Sequence, residues 1–164
     1  MPSPTVPPGT RAHDAHHDGD GLMGEIRLDI PPRMDFLAVV RLVVAAAAEL
    51  EPALPESRLD DLRLAVTEAC SNAIKAHRPE ATDEPIVVTC QVDDDRFQVD
   101  IRDRGPGFDP DALAALPDPT DPKRLHHESG LGVTLIRVLT DDVTFRPTDG
   151  GTVVSMLLKR TPPG

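Results

Sequence analysis

Residues 66–77 read VTEACSNAIKAH. Wound at about 100° per residue, Leu62, Val66, Ala69 and Ala73 line up as one apolar stripe of a helix. Glu68 and Asn72 fall one turn apart, about 40° from each other, at the edge of that stripe. Around them stand Ala65, Ala69 and Ala76, whose small side chains leave space above the helix surface. A solvated i, i+4 polar pair is the plain explanation. An acid and an amide raised together over alanines can also face a single ligand.

The flanking sequence frames this helix. It starts near Ser57, read as the N-cap, with Asp60 and Asp61 placed in the first turn, where acids favour the positive end of the helix dipole. It ends near His77, before Pro79. Upstream, GEIRLDIPP (24–32) alternates Ile26, Leu28 and Ile30 with polar residues as a half-buried strand does, and Pro31 and Pro32 stop it. A helix from Asp35 to Leu50 follows, closed by Pro52 and Pro55. Downstream, PIVVTCQVDD and RFQVDIRD are alternating runs that form an antiparallel hairpin. GLGVTLIRVLTD reads as a helix, and DVTFRPT and TVVSMLLKR as strands joined by the turn DGG. Between Pro110 and Glu128 the chain is polar and proline-rich, with at most a short helix in PDALAAL, which is the composition of a functional lid or a disordered link. The order strand, helix, helix, strand, strand, lid, helix, strand, strand predicts an α+β fold, a two-layer sandwich with helices on one face of a mixed, mostly antiparallel sheet.

Composition narrows the function. A chain of 164 residues accommodates one domain, expected over residues 23–161, after a disordered tail of residues 1–22 rich in Pro, Gly, Asp and His. The histidines of that tail, His13, His16 and His17, are read as solvated in preference to metal-bound. A net charge of -11 disfavours nucleic acid and anionic membranes, and four Phe with no Trp or Tyr leave little for stacking bases. Cys70 and Cys90 lack CxxC spacing and lie in apolar segments, so buried free thiols and a reducing, cytoplasmic setting are expected. No apolar run is long enough to span a bilayer.

Two further motifs carry chemistry. In DIRDRGPGFDP (100–110), Asp103 ends a strand and Gly105 and Gly107 follow at alternate positions. Glycines let a ligand approach the backbone, and an ionised Asp103 accepts hydrogen bonds from a ligand amine. A tight turn off an edge strand is the simpler alternative. In ESGLGVTLI (128–136), Gly130 and Gly132 open a helix whose backbone N–H groups suit a phosphate. Neither GxxxxGK[ST] nor GxGxxG is present, so the P-loop and Rossmann folds are unsupported.

Taken in order, ExxxN on a helix, DxGxG after a strand pair, a proline-rich lid closed by GxG, and GGT into a terminal strand resemble the Bergerat-fold ATPases, the superfamily of gyrase, MutL and histidine kinases. The N-box is EACSN, and the two glycine boxes are DRGPG and GLG. The resemblance covers residues from about 24 to 160, and LRLAVTEACSNAIKAH and SGLGVTLIRVLTDDVTF look most like the anti-sigma-factor serine kinases of bacterial partner switching.

That resemblance implies ATP and Mg²⁺ as cofactors. It implies Asn72 as the Mg²⁺ ligand, Glu68 as the general base, and Asp103 as the reader of the adenine amine. Gly107 would lie beneath the base and Thr152 near it through water, with Gly105 in the same box and Gly130 and Gly132 at the phosphates. It further implies a serine/threonine kinase that sequesters a sigma factor, phosphorylates an anti-anti-sigma antagonist, and forms a homodimer to which Leu64, Ile74 or the first helix contribute. The alternatives are a non-catalytic ATP-binding regulatory module and a histidine-kinase-type catalytic domain, the latter disfavoured because no helix pair with a phosphoacceptor His precedes the domain. Members of the group often carry His four residues after the Asn; here that place is Ala76 and the histidine is His77. Lys123 and Arg124 are offered as γ-phosphate contacts of the lid, and His126 and His127 as solvated.

Overall fold

The computed structural model describes residues 22–50, 53–81, 83–106 and 128–160. The expected tail, apart from Leu22, lies outside these residues, as do Gly107 and the lid up to His127, including Lys123 and Arg124. The elements are β1 (Leu22–Ile30), α1 (Leu37–Ala48), α2 (Glu56–Ala76), β2 (Ile86–Asp93), β3 (Arg96–Asp103), α3 (Glu128–Leu139), β4 (Asp142–Thr148) and β5 (Gly151–Lys159). A short 3₁₀ turn, Met34–Phe36, leads into α1.

The five strands lie in the order β1-β2-β3-β5-β4, so β5 sits between β3 and its own hairpin partner. The sheet expected to be mostly antiparallel is antiparallel at every one of these pairings. Alternation sends Phe97, Val99 and Ile101 of β3 inward against the helices, and Asp103 takes the next inward place in the same row. Their partners on β5 are Leu158, Met156, Val154 and Thr152. Arg27, Asp29 and Arg102 are exposed on the opposite face of the sheet.

The stripe read on α2 is the one the fold buries: Leu59, Leu62, Val66, Ala69 and Ala73 are at most 3% exposed. Alanines on α1 (Ala47, Ala48) and α2 (Ala65, Ala69) keep the two helices thin where they enter the core. Burying a side chain such as Leu62 or Val66 is worth about 1.5–3 kcal/mol. Cys70 and Cys90 are free and buried as expected, and burial pushes both thiols up to about 12.

The start of α2 differs from the expectation. The helix opens at Glu56, and the carbonyl of Pro55 receives the N–H groups of Arg58 and Leu59 at 2.9 and 3.1 Å. Ser57 is therefore already helical and exposed, and no side chain caps the turn. Asp60 and Asp61 follow the first turn, where each pairs with an arginine three residues away. Arg58 also ties α2 to the end of α3, donating to Leu139 O at 3.2 Å and to Asp141 Oδ2 at 2.7 Å.

The β4–β5 turn uses Gly150 at φ 87°, a conformation that costs glycine little. Its neighbour Gly151 is required for space: a Cβ there would stand 1.9 Å from the carbonyl oxygen of Asp103. A Cβ on Gly24, by contrast, would meet nothing within 4 Å. Gly151→Ala should therefore cost about 3 kcal/mol in urea denaturation, through overpacking against main chain that cannot swing away, while Gly24→Ala stays within about 0.5 kcal/mol of wild type. Equal stability of the two variants would refute the close β3–β5 approach.

Candidate nucleotide site

The long helix α2 carries one half of the site. Glu68 and Asn72 are half-buried on the flank of the apolar stripe. The start of α3 packs over them: a Cβ built on Gly132 would lie 2.9 Å from Glu68 Oε2 and 3.3 Å from Asn72 Nδ2. The two side chains are thus together, beneath the helix whose backbone opens toward them. Gly130 lies within the first turn of α3.

The other half comes from the end of β3. Asp103 and Thr152, paired across the β3–β5 ladder, are 5% and 4% exposed. Asp103 Oδ1 accepts the Gly105 N–H at 2.7 Å. Burial raises the Asp103 pKa above its ordinary 3.8; the backbone N–H groups of Gly105 and Thr152 and the nearby His77 act in the opposite sense but do not cancel it. A carboxylate held inward by two backbone amides keeps further lone pairs with which it can accept a hydrogen bond from a ligand.

The two halves are joined by Gly105. A Cβ there would stand 2.3 Å from the carbonyl oxygen of Ala76, so the turn after β3 rests directly on the last turn of α2. From Glu68 to Ala76 the helix rises on the order of 12 Å. Glu68 therefore sits at one end of this span, Asn72 midway along it and the Asp103 turn at the other end, the scale of a nucleoside triphosphate laid along α2.

Two residues to which the sequence assigns no site role belong to this region. His77, at the helix end, touches the Asp103 turn through Arg104, and Gly151 of the GGT run lets β5 reach it. The displacement of the histidine from 76 to 77 and the glycine doublet at 150–151 are the signals the sequence holds for them.

The helices on one sheet face, with α2, α3 and the end of β3 drawn together around the candidate site, define a two-layer α+β sandwich. A family model described as the histidine kinase-like ATPase domain matches residues 30–158, and the chain belongs to that family. Membership of an ATPase domain family implies an ATP site. Among named relatives, the serine-protein kinase RsbW of Bacillus cereus (strain AH187) is 30% identical over 133 residues, covering 79% of this chain and 82% of the relative. The RsbW of Bacillus mycoides (strain KBAB4) is 29% identical over the same shares. The crystal structure of the RsbU and RsbW domains of a Mycobacterium tuberculosis protein superposes with a TM-score of 0.60 at 15% identity, covering 85% of this chain and 34% of that one, a likeness of fold. No helix among the described residues is long and apolar enough to cross a membrane.

The raised pKa of Asp103 has a signed consequence. The native state binds this proton more tightly than the unfolded chain, so its contribution to stability is greatest below 3.8 and falls as pH rises through the folded-state value. In urea denaturation of the nucleotide-free protein, wild type should lose stability relative to Asp103→Asn on going from pH 4 to pH 7. A difference that is flat or of opposite slope would show that Asp103 is not desolvated.

Proposed function

We propose that this protein is a serine/threonine protein kinase and anti-sigma factor: it sequesters a sigma factor and uses ATP with Mg²⁺ to phosphorylate a serine on an anti-anti-sigma antagonist, acting as a homodimer. The observation that carries the reading is the pairing of Glu68 with Asn72 one turn apart beneath Gly132. A module that only binds nucleotide needs the amide but has no use for a carboxylate beside it. The name serine-protein kinase carried by the RsbW relatives supports the same assignment.

Each residue then has a task. Asp103 accepts a hydrogen bond from the adenine amine, with Thr152 beside it, Gly105 seating the turn on α2 and Gly107 beneath the base. The backbone N–H groups at Gly130 and Gly132 face the phosphates at the positive end of α3. The Asn72 carboxamide oxygen suits a hard cation, and Mg²⁺ bound there would neutralise phosphate charge. Glu68 accepts the proton of the attacking serine hydroxyl as its oxygen bonds to the γ-phosphorus and ADP departs. Phosphate on the antagonist then adds charge that disfavours its complex with the kinase, leaving the surface to the sigma factor. On the helical side, Leu64 is 43% and Leu42 72% exposed, apolar surface open to a partner or a second copy.

Glu68→Ala should leave ADP affinity within about threefold of wild type yet lower antagonist phosphorylation by roughly 10² to 10⁴. Asn72→Ala should lose both Mg²⁺-dependent nucleotide binding and transfer. Labelled ATP and calorimetry on the three proteins decide it: a wild-type rate in Glu68→Ala removes Glu68 as the base. A wild type that binds the antagonist but never phosphorylates it turns the reading to an ATP-dependent binding module.

A further inference from the structure

His77 is 8% exposed, stands at the C-cap of α2 and belongs to none of the recognised boxes. Both ring nitrogens are engaged. Nε2 lies 2.8 Å from the Ala81 carbonyl oxygen, and Nδ1 lies 3.3 Å from the Arg104 backbone nitrogen. A carbonyl can only accept and a backbone N–H can only donate, so the ring is the neutral tautomer protonated at Nε2. It donates to Ala81 O and accepts from Arg104.

Arg104 is the residue between Asp103 and Gly105, and it is held on three sides. Its N–H goes to His77, its carbonyl accepts the Arg78 N–H at 3.3 Å, and its guanidinium pairs with Glu84 at 2.8 Å. Two of these three restraints come from His77 and Arg78, the residues directly after α2. The main chain at Arg104 in turn sets where Asp103 Oδ1 meets the Gly105 N–H and where Gly105 rests on Ala76.

We propose that His77 is a positioning residue for nucleotide recognition: by accepting the Arg104 N–H, it fixes the Asp103–Gly105 turn relative to the helix that carries Glu68 and Asn72. The inference rests on the nucleotide reading above and adds to it a residue acting through the backbone without touching the ligand. It is specific to one ring nitrogen. The Nδ1 bond reaches the turn, while the Nε2 bond secures only the local 3₁₀ turn Pro79–Ala81.

That division makes it testable with two isosteres. The Asn carboxamide oxygen can stand near the place of Nδ1, and the Gln amide nitrogen near the place of Nε2. His77→Asn therefore keeps the bond to Arg104 and loses that to Ala81, and His77→Gln does the reverse. Three quantities are measured for each: melting temperature, hydrogen exchange of the Arg104 amide by NMR, and calorimetric affinity for ADP with Mg²⁺. The two variants should lose similar melting temperature. His77→Asn should keep Arg104 protection and bind ADP within about threefold of wild type, whereas His77→Gln should lose that protection and about tenfold in affinity. Equal ADP affinity in the two variants, or affinity that follows melting temperature in place of the Arg104 amide, overturns the proposal. A wild type that binds no ADP is a different failure: the nucleotide reading falls, and the positioning role falls with it.

Discussion

Three missing Cβ atoms hold this architecture together. At Gly151 the backbone of β5 closes on the Asp103 carbonyl, at Gly105 the turn after β3 closes on the Ala76 carbonyl, and at Gly132 helix α3 closes on Glu68 and Asn72. At Gly105 and Gly151 the contact joins two elements at a distance no other residue type permits. The first two press on main chain, which cannot rotate out of the way; the third presses on the ends of flexible side chains, which can. Glycine at 105 and 151 is therefore a requirement of the fold, and glycine at 132 is a requirement of the site.

The same closeness sets the electrostatics. An inward carboxylate is placed where the alternation of β3 calls for another apolar residue, and burial holds its pKa up in spite of two backbone donors. At neutral pH its ionised form makes the nucleotide-free protein less stable than a neutral residue of good fit would. A cost of this kind is retained where a charged acceptor has work to do that solvent cannot share. The two buried thiols show the contrast: burial raises their pKa values as well, but a thiol buried in its neutral form brings no charge into the core.

The elements written in a repeating pattern were legible in the sequence. The 3.6-residue stripe of α2, the alternation of β1, β2 and β3, and the Asp-Gly turn before β5 all stand where periodicity placed them. So did Asp103 at its strand end. What escaped was whatever depends on a contact between distant segments. Ser57 has the chemistry of a cap, yet a carbonyl two residues earlier already receives the first helical N–H groups, and no local rule foretells which wins. The insertion of β5 between β3 and β4, which brings Thr152 beside Asp103, is a choice among strand orders that hairpin signals leave open.

The displaced histidine shows how a departure from a family pattern can be structural. Four residues after Asn72 the chain is still helical, and the Ala76 carbonyl lies directly against the glycine of the next motif. A bulky ring at 76 is not needed for that contact. One residue later the backbone has left the helix, with His77 at ψ 134°, and the side chain is free of the helical direction that would aim it back along α2. It turns instead toward the end of β3, where an unpaired N–H of the turn requires an acceptor. The end of α2 thus divides two tasks: residue 76 presents the carbonyl against which Gly105 rests, and residue 77 supplies the hydrogen bond that holds the turn there.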